Sequence, residues 1–213
     1  MQADYVVFDM DGTLTDSMPF LAAGIGAVAG RLTGRTFSRA EVEAAYGPPD
    51  LAVLSGLIGR PVTGAERALY LAHLRAEAPA AVPPIPGLAT MLGDLRRAGI
   101  KLGVYSARSL AAGTIVLEAL RLDGFFDTIV AGDTVTRPKP HPEGLVVAMA
   151  ELEATPGRTL YVGDTLHDLQ VARGAGVRSV LALWADSPRA HLIPQADRHF
   201  FDAASFASWV LGD

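Results

Sequence analysis

Apolar residues along the chain fall into two alternating rhythms. Short apolar runs that end in polar residues predict strands: Tyr5–Phe8 before Asp9, Ile100–Tyr105 before Ser106, Thr128–Ala131 near Asp133, and Thr159–Val162 before Gly163-Asp164. A fifth run, Arg178–Leu183, follows, and Pro194 to Phe201 reads as a last edge element before a closing helix from Ser205 to Val210. Between the runs the spacing becomes helical. Leu88, Met91, Leu92 and Leu95 share one helix face, with Gly99 as the stop, and Leu110 to Leu120, Leu145 to Leu152 and Leu166 to Ala175 predict three more helices. Strand alternating with helix predicts an α/β fold with a doubly wound parallel sheet, whose ligands bind at the carboxyl ends of the strands.

From Ser17 to Val82 the alternation stops. Leu21, Ile25, Val28 and Leu32 mark an amphipathic helix, and the capping boxes Ser38-x-x-Glu41 and Thr63-x-x-Glu66 start two more. Pro83-Pro84-Ile85-Pro86-Gly87 then returns the chain to the α/β pattern as a semi-rigid hinge. The expected organisation is a core of residues 1–16 and 83–213 with an all-α cap, residues 17–82, inserted after the first strand. Because it enters beside Asp9 and Asp11, this insertion is expected to act as a lid.

The chain has 213 residues, half of them hydrophobic, enough for one α/β core and a small accessory domain. A net charge of -5 offers no basic footprint for nucleic acid, so an anionic ligand needs a local cationic site. Absence of cysteine excludes disulfides and thiolate metal sites and fits a reducing compartment. No uninterrupted apolar stretch approaches the roughly 18 residues of a membrane span, and Asp4 interrupts any signal-peptide pattern. The expectation is a cytoplasmic protein, monomer or homodimer, with neither membrane nor nucleic-acid partners.

Candidate chemistry sits at the strand ends. Asp9 and Asp11, followed at once by Gly12 and Thr13, form a carboxylate pair that is costly to bury unless it is paired or metal-bound. Phosphoryl transfer through an aspartyl-phosphate requires such a pair, one acid to attack and one to handle protons, with a place for a cation. Asp-x-Asp also opens calcium loops, but Gly12-Thr13-Leu14 interrupts that series. Ser106 is placed to donate to a phosphate oxygen, although a serine there also caps helices. Lys139, one of two lysines in the chain, is fixed between Pro138 and Pro140 and would neutralise nucleophile and phosphate. Asp164 and Asp168 make most sense with Mg²⁺ between them; crowding Asp164 with Asp9 and Asp11 needs that cation and Lys139 to offset repulsion.

In order and spacing these four motifs resemble those of the haloacid dehalogenase superfamily, in particular its phosphoglycolate phosphatase-like members with a class I helical cap. The resemblance spans essentially the whole chain. It implies Asp9 as nucleophile, Asp11 as general acid/base, Ser106 and Lys139 as phosphate-binding catalytic residues, and Gly12, Thr13, Ala107 and Arg108 as further substrate contacts. It also implies Mg²⁺ on the Asp9 carboxylate, the Asp11 backbone carbonyl and Asp164, with Asp168 as a further metal or supporting residue. Asp11 argues against dehalogenation, whose enzymes lack the second aspartate. Phosphonatases use a cap lysine, and none occurs between Ser17 and Val82. β-Phosphoglucomutases usually carry an arginine shortly after a cap glycine, where this chain has Asp50 after Gly47, leaving Arg31, Arg35 or Arg60 to approach from elsewhere.

The activity so implied is Mg²⁺-dependent hydrolysis of a small phosphorylated metabolite, phosphoglycolate as first guess. The alternatives are a sugar-phosphate mutase and a non-catalytic binding protein of this fold. Among the remaining polar residues, Arg108 reaches either the substrate's anionic end or solvent. Asp16 and Ser17 are expected to cap the first cap helix, with a role in the flap over the site as the alternative, Asp133 to support the Lys139 loop, and Trp184 to pack. His141 and His167 are not expected to bind metal, since Mg²⁺ prefers oxygen.

Overall fold

The computed structural model describes residues 2–185 and 189–212. Six strands, β1 (Tyr5–Phe8), β2 (Lys101–Ser106), β3 (Thr128–Ala131), β4 (Thr159–Gly163), β5 (Arg178–Ala182) and β6 (Arg198–Phe200), form one sheet in the order β3-β2-β1-β4-β5-β6. Every pairing is parallel, Phe8 standing beside Val104 on one side and Val162 on the other. The chain runs outward from β1 through β2 to β3, then crosses back to β4, so the winding reverses at β1. The loops after β1, β2 and β4 open at that reversal, where parallel sheets place their ligands.

Strand pleating sorts the core into two layers, because successive side chains point to opposite faces. Val6, Phe8, Leu102, Val104, Leu160 and Val162 face one buried cluster with α5 (Leu88–Arg97), α6 (Leu110–Ala119) and α9 (Ala203–Leu211). Val7, Tyr105, Val130 and Tyr161 face a second, with α7 (Glu143–Glu151) and α8 (Leu166–Ala175). The expected doubly wound α/β sheet is therefore present, with helices on both faces.

Between β1 and α5 lie α1 (Met18–Thr33), α2 (Arg39–Ala44), α3 (Asp50–Ile58) and α4 (Gly64–Ala81). Both expected capping boxes form, Ser38 with Glu41 and Thr63 with Glu66. The pattern had predicted three helices here; α3 is the addition. It starts from Pro49 with no side-chain cap bond and is apolar on more than one face, so it carries neither the cap signal nor a clean stripe. Leu21, Ile25, Leu54, Tyr70 and Leu74 of this segment share one buried cluster with Ile115 and Val116 of α6. No helix among the described residues is long and apolar enough to cross a membrane.

Candidate active site

The loop after β1 is wound tightly enough to turn both of its acids inward. Main-chain N–H groups of Leu14 and Thr15 donate to the Met10 carbonyl, and Gly12 N donates to Thr15 O. Gly12 sits at φ +79, where a side chain is strained, and a Cβ there would overlap Asp164 Oδ2. Trp184 packs on Phe206, as expected of it, and adds a 2.8 Å bond from Nε1 to Thr13 O that pins this loop.

Asp9 follows β1 and is 7 % exposed. Lys139 Nζ donates to Asp9 Oδ1 and, at 2.7 Å, to Asp168 Oδ1. Burial opposes the ammonium charge, but Asp168 and Asp9 outweigh it and hold Lys139 well above the usual lysine range. Burial, then the Asp168 charge, push the Asp9 carboxyl up to about 7 against the pull of Lys139. Burial also works against the Asp168 charge, yet Lys139 and Thr165 prevail and lower its pKa. The remaining Asp168 contacts are Thr165 N (2.9 Å), Thr165 Oγ1 (2.5 Å) and Tyr161 Oη (3.2 Å), so it closes the capping box of α8 while it anchors Lys139.

Asp11 is held separately. Ser17 Oγ donates to its Oδ1 at 2.6 Å and Arg108 Nε to its Oδ2 at 2.5 Å. This corrects the cap reading of Ser17: the residue occupies the N-cap position of α1 but its backbone is helical (φ -99, ψ -4) rather than extended, it makes no side-chain cap bond, and its hydroxyl donates to Asp11 instead. Asp16 is exposed. Arg108 does not face solvent, the second of its two readings: its side chain is only 6 % exposed and lies against Asp11. Despite burial, Asp11 keeps the Arg108 charge firmly in place.

Asp9, Asp164 and Asp168 each offer a carboxylate oxygen within 4.8 Å of the others. Asp164 is 1 % exposed, and neither of its oxygens receives a hydrogen bond among the described residues. Arg189 Nη1 is in ion contact with Asp164 Oδ2 but lacks hydrogen-bonding geometry. A buried carboxylate with no hydrogen-bond donor, beside two others, is an all-oxygen donor set that fits a hard divalent cation. The Asp11 side chain does not belong to this cluster.

A cleft of about 410 Å³ collects Asp9, Asp11, Ala107, Arg108, Lys139 and Asp168 from the core, and Met18, Tyr46, Gly47, Pro48 and Asp50 from the helical segment. Gly12, Thr13, Ser106 and Asp164 are not among the residues that line it. Ser106 Oγ accepts the Arg108 main-chain N–H at 3.2 Å. Asp133, in the loop that leads from β3 to Lys139, accepts from Leu110 N at the start of α6 at 2.8 Å. His141 Nδ1 accepts from Glu143 N. Arg35 and Arg60 pair with Glu41 and Glu66 on the surface and do not line the cleft.

Sequence reasoning noticed Asp50 only as a departure from an arginine. It is 3 % exposed and reaches across to the core, accepting from Ser109 N at 2.7 Å and Ser109 Oγ at 3.0 Å. Tyr46 and Tyr70 were missed; their hydroxyls are buried without a hydrogen-bond partner among the described residues. Burial raises both, Tyr46 to about 12.

Residues 6–182 match the family model described as haloacid dehalogenase-like hydrolase. The chain is 32 % identical over 187 residues to the probable phosphatase IndB of Dickeya dadantii, covering 84 % of this chain and 80 % of that protein. It is 31 % identical over 199 residues to a phosphoglycolate phosphatase of Salmonella typhi, covering 82 % and 79 %. The crystal structure of CbbY from Rhodobacter sphaeroides in complex with phosphate superposes with a TM-score of 0.78 at 24 % identity, covering 96 % of each chain, which is a likeness of fold.

Proposed function

The chain belongs to the haloacid dehalogenase-like hydrolase family and is an enzyme of its phosphatase type, and we propose that it is a Mg²⁺-dependent phosphomonoesterase acting through an aspartyl-phosphate. The observation that carries this reading is the buried Asp9–Lys139–Asp168 cluster beside Asp164, whose oxygens receive no hydrogen bond among the described residues, opening on the same cleft as Asp11.

In this reading an Asp9 carboxylate oxygen attacks phosphorus as the ester P–O bond breaks, and the departing alkoxide takes a proton from Asp11. Asp11 then removes a proton from the water that attacks the aspartyl-phosphate, which releases phosphate and regenerates Asp9. Lys139 and the Ser106 hydroxyl stabilise the transferring phosphoryl oxygens, with Gly12, Thr13 and Ala107 placing main chain around them. Ser17 and Arg108 hold the Asp11 carboxylate in one orientation. Asp9, Asp164 and the Asp11 carbonyl would hold Mg²⁺, while Asp168, its oxygens already engaged, steadies Lys139. The bound cation supplies positive charge that offsets repulsion between a carboxylate nucleophile and a phosphate dianion. Residues 17–82 serve as a lid that excludes water from this chemistry.

Among small phosphorylated metabolites, phosphoglycolate is the first substrate to test, in keeping with the relative of that name. The experiment is phosphate release over phosphoglycolate, pyrophosphate, hexose phosphates and nucleotides, with and without Mg²⁺, beside Asp9→Asn. Mg²⁺-dependent release from one small ester, abolished in the variant, is the expected result. Release that survives Asp9→Asn overturns the assignment.

A further inference from the structure

The wall of the cleft beside Asp11 has no role in handling the phosphoryl group. Its cation is Arg108, which is paired with Asp11 through Nε alone; the other cations lining the cleft, Lys139 and Arg189, are engaged by Asp9 and Asp168 and by Asp164. The leaving group must depart next to the acid that protonates it, hence next to Arg108. The partners of that guanidinium are uneven. Nε bonds Asp11, but Nη2 rests at 3.0 Å on the thioether of Met18, a weak acceptor for a charged donor. The Tyr46 hydroxyl in the same wall is buried without a partner among the described residues, and its raised pKa keeps it a donor. Of the acids in this wall, Asp11 is bonded to Nε and Asp50 turns its oxygens to Ser109.

We infer that Arg108 and Tyr46 form a second anion subsite, which selects small phosphomonoesters whose leaving group carries a carboxylate or another acidic group. The inference rests on the phosphatase reading for the placement of the leaving group. A substrate anion replaces the Met18 sulfur on Nη2 and accepts from Tyr46, so two underused buried donors gain a charged acceptor. It also competes with Asp11 for Arg108, so an acidic leaving group loosens the hold on the acid beside it. A neutral leaving group of equal size does neither.

Binding tests this independently of turnover. In the 213-residue Asp9→Asn protein with Mg²⁺, calorimetry compares 2-phosphoglycolate with isobutyl phosphate, which matches it in size and shape but carries two methyl groups in place of the carboxylate oxygens. The expected preference for phosphoglycolate is at least about tenfold, the scale of one charge-assisted hydrogen bond. Adding Arg108→Met brings the ratio of the two affinities close to one, and Tyr46→Phe lowers it about threefold. No preference in the Asp9→Asn protein, or an unchanged ratio with Arg108→Met, overturns the subsite. Should Arg108→Met fail to fold, judged by circular dichroism, Tyr46→Phe and Arg108→Lys decide by the same ratio. Failure of the phosphatase reading would show separately, as absence of phosphate release by the protein with Asp9 intact.

Discussion

Asp50→Ala removes a carboxylate that ties the helical segment to the core at the mouth of the cleft. Asp50 begins α3 and lies at the N-terminus of α6, so its charge meets the positive ends of two helices. Deletion orphans the main-chain N–H of Ser109, a fully buried residue, at a cost of about 1–3 kcal/mol. The Ser109 hydroxyl suffers less, because it also takes part in capping Ala112 N. Loss of negative charge at the two helix starts adds roughly 0.5–1 kcal/mol, and release of a buried carboxylate returns part of the total. The net expectation is a destabilisation of about 2–3 kcal/mol, or a fall in Tm of roughly 5–10 °C for a chain of this length. Asp50→Asn keeps an acceptor for Ser109 N and can donate to its Oγ, so it should cost only about 1 kcal/mol. Thermal unfolding followed by circular dichroism at neutral pH measures both. An Ala variant within about 2 °C of the parent would refute the latch, and an Asn variant as unstable as Ala would show that charge, not hydrogen bonding, holds it.

Three further outcomes follow from the same geometry. Lys139→Met leaves buried Asp9 and Asp168 without their shared cation and should cut kcat/KM for phosphate release at least about 10²-fold; near-normal turnover would make Lys139 a bystander. Gly12→Ala forces a Cβ onto Asp164 at a positive φ, so the Mg²⁺ concentration for half-maximal activity should rise about tenfold or more; an unchanged metal requirement would refute the close approach. Burial opposes the Asp127 charge, but Arg96 and the Leu102 N–H outweigh it and lower its pKa. A pKa lowered by folding gives stability that is present above the unfolded value, near about 3.9, and lost as pH falls through the folded one. The stability gap between the parent and Asp127→Asn, from urea titrations, should therefore narrow below about pH 4, and a gap that widens there would contradict the pairing.

What could be read from the chain, and what could not, divides by the range of the interaction. β1 and β3 match their predicted bounds, β2, β4 and β5 shift by one residue, and only the last edge element shortens, to Arg198–Phe200, because pleating writes burial into the local alternation. The capping boxes of α2 and α4 were legible because both partners lie three residues apart. Asp9, Asp11, Lys139, Asp164 and Asp168 were legible for a different reason: an acid after an apolar strand, or a lysine between prolines, is hard to explain without a ligand. Their partners follow no such rule. Asp50 meets Ser109 across 59 residues and Arg108 meets Asp11 across 97, and neither pairing leaves a spacing that local pattern can register. Ser17 shows the cost of reading only nearby options. Before a helix, with Pro19 inside the first turn, it satisfies the rule for an N-cap; yet its backbone is helical rather than extended as a side-chain cap requires, and its hydroxyl donates to Asp11, which the fold delivers to it. The same carboxylate takes Arg108 Nε and leaves that guanidinium a sulfur as second partner. Residues held in such compromises are where a bound ligand has most to gain, and therefore where the substrate's identity is to be sought.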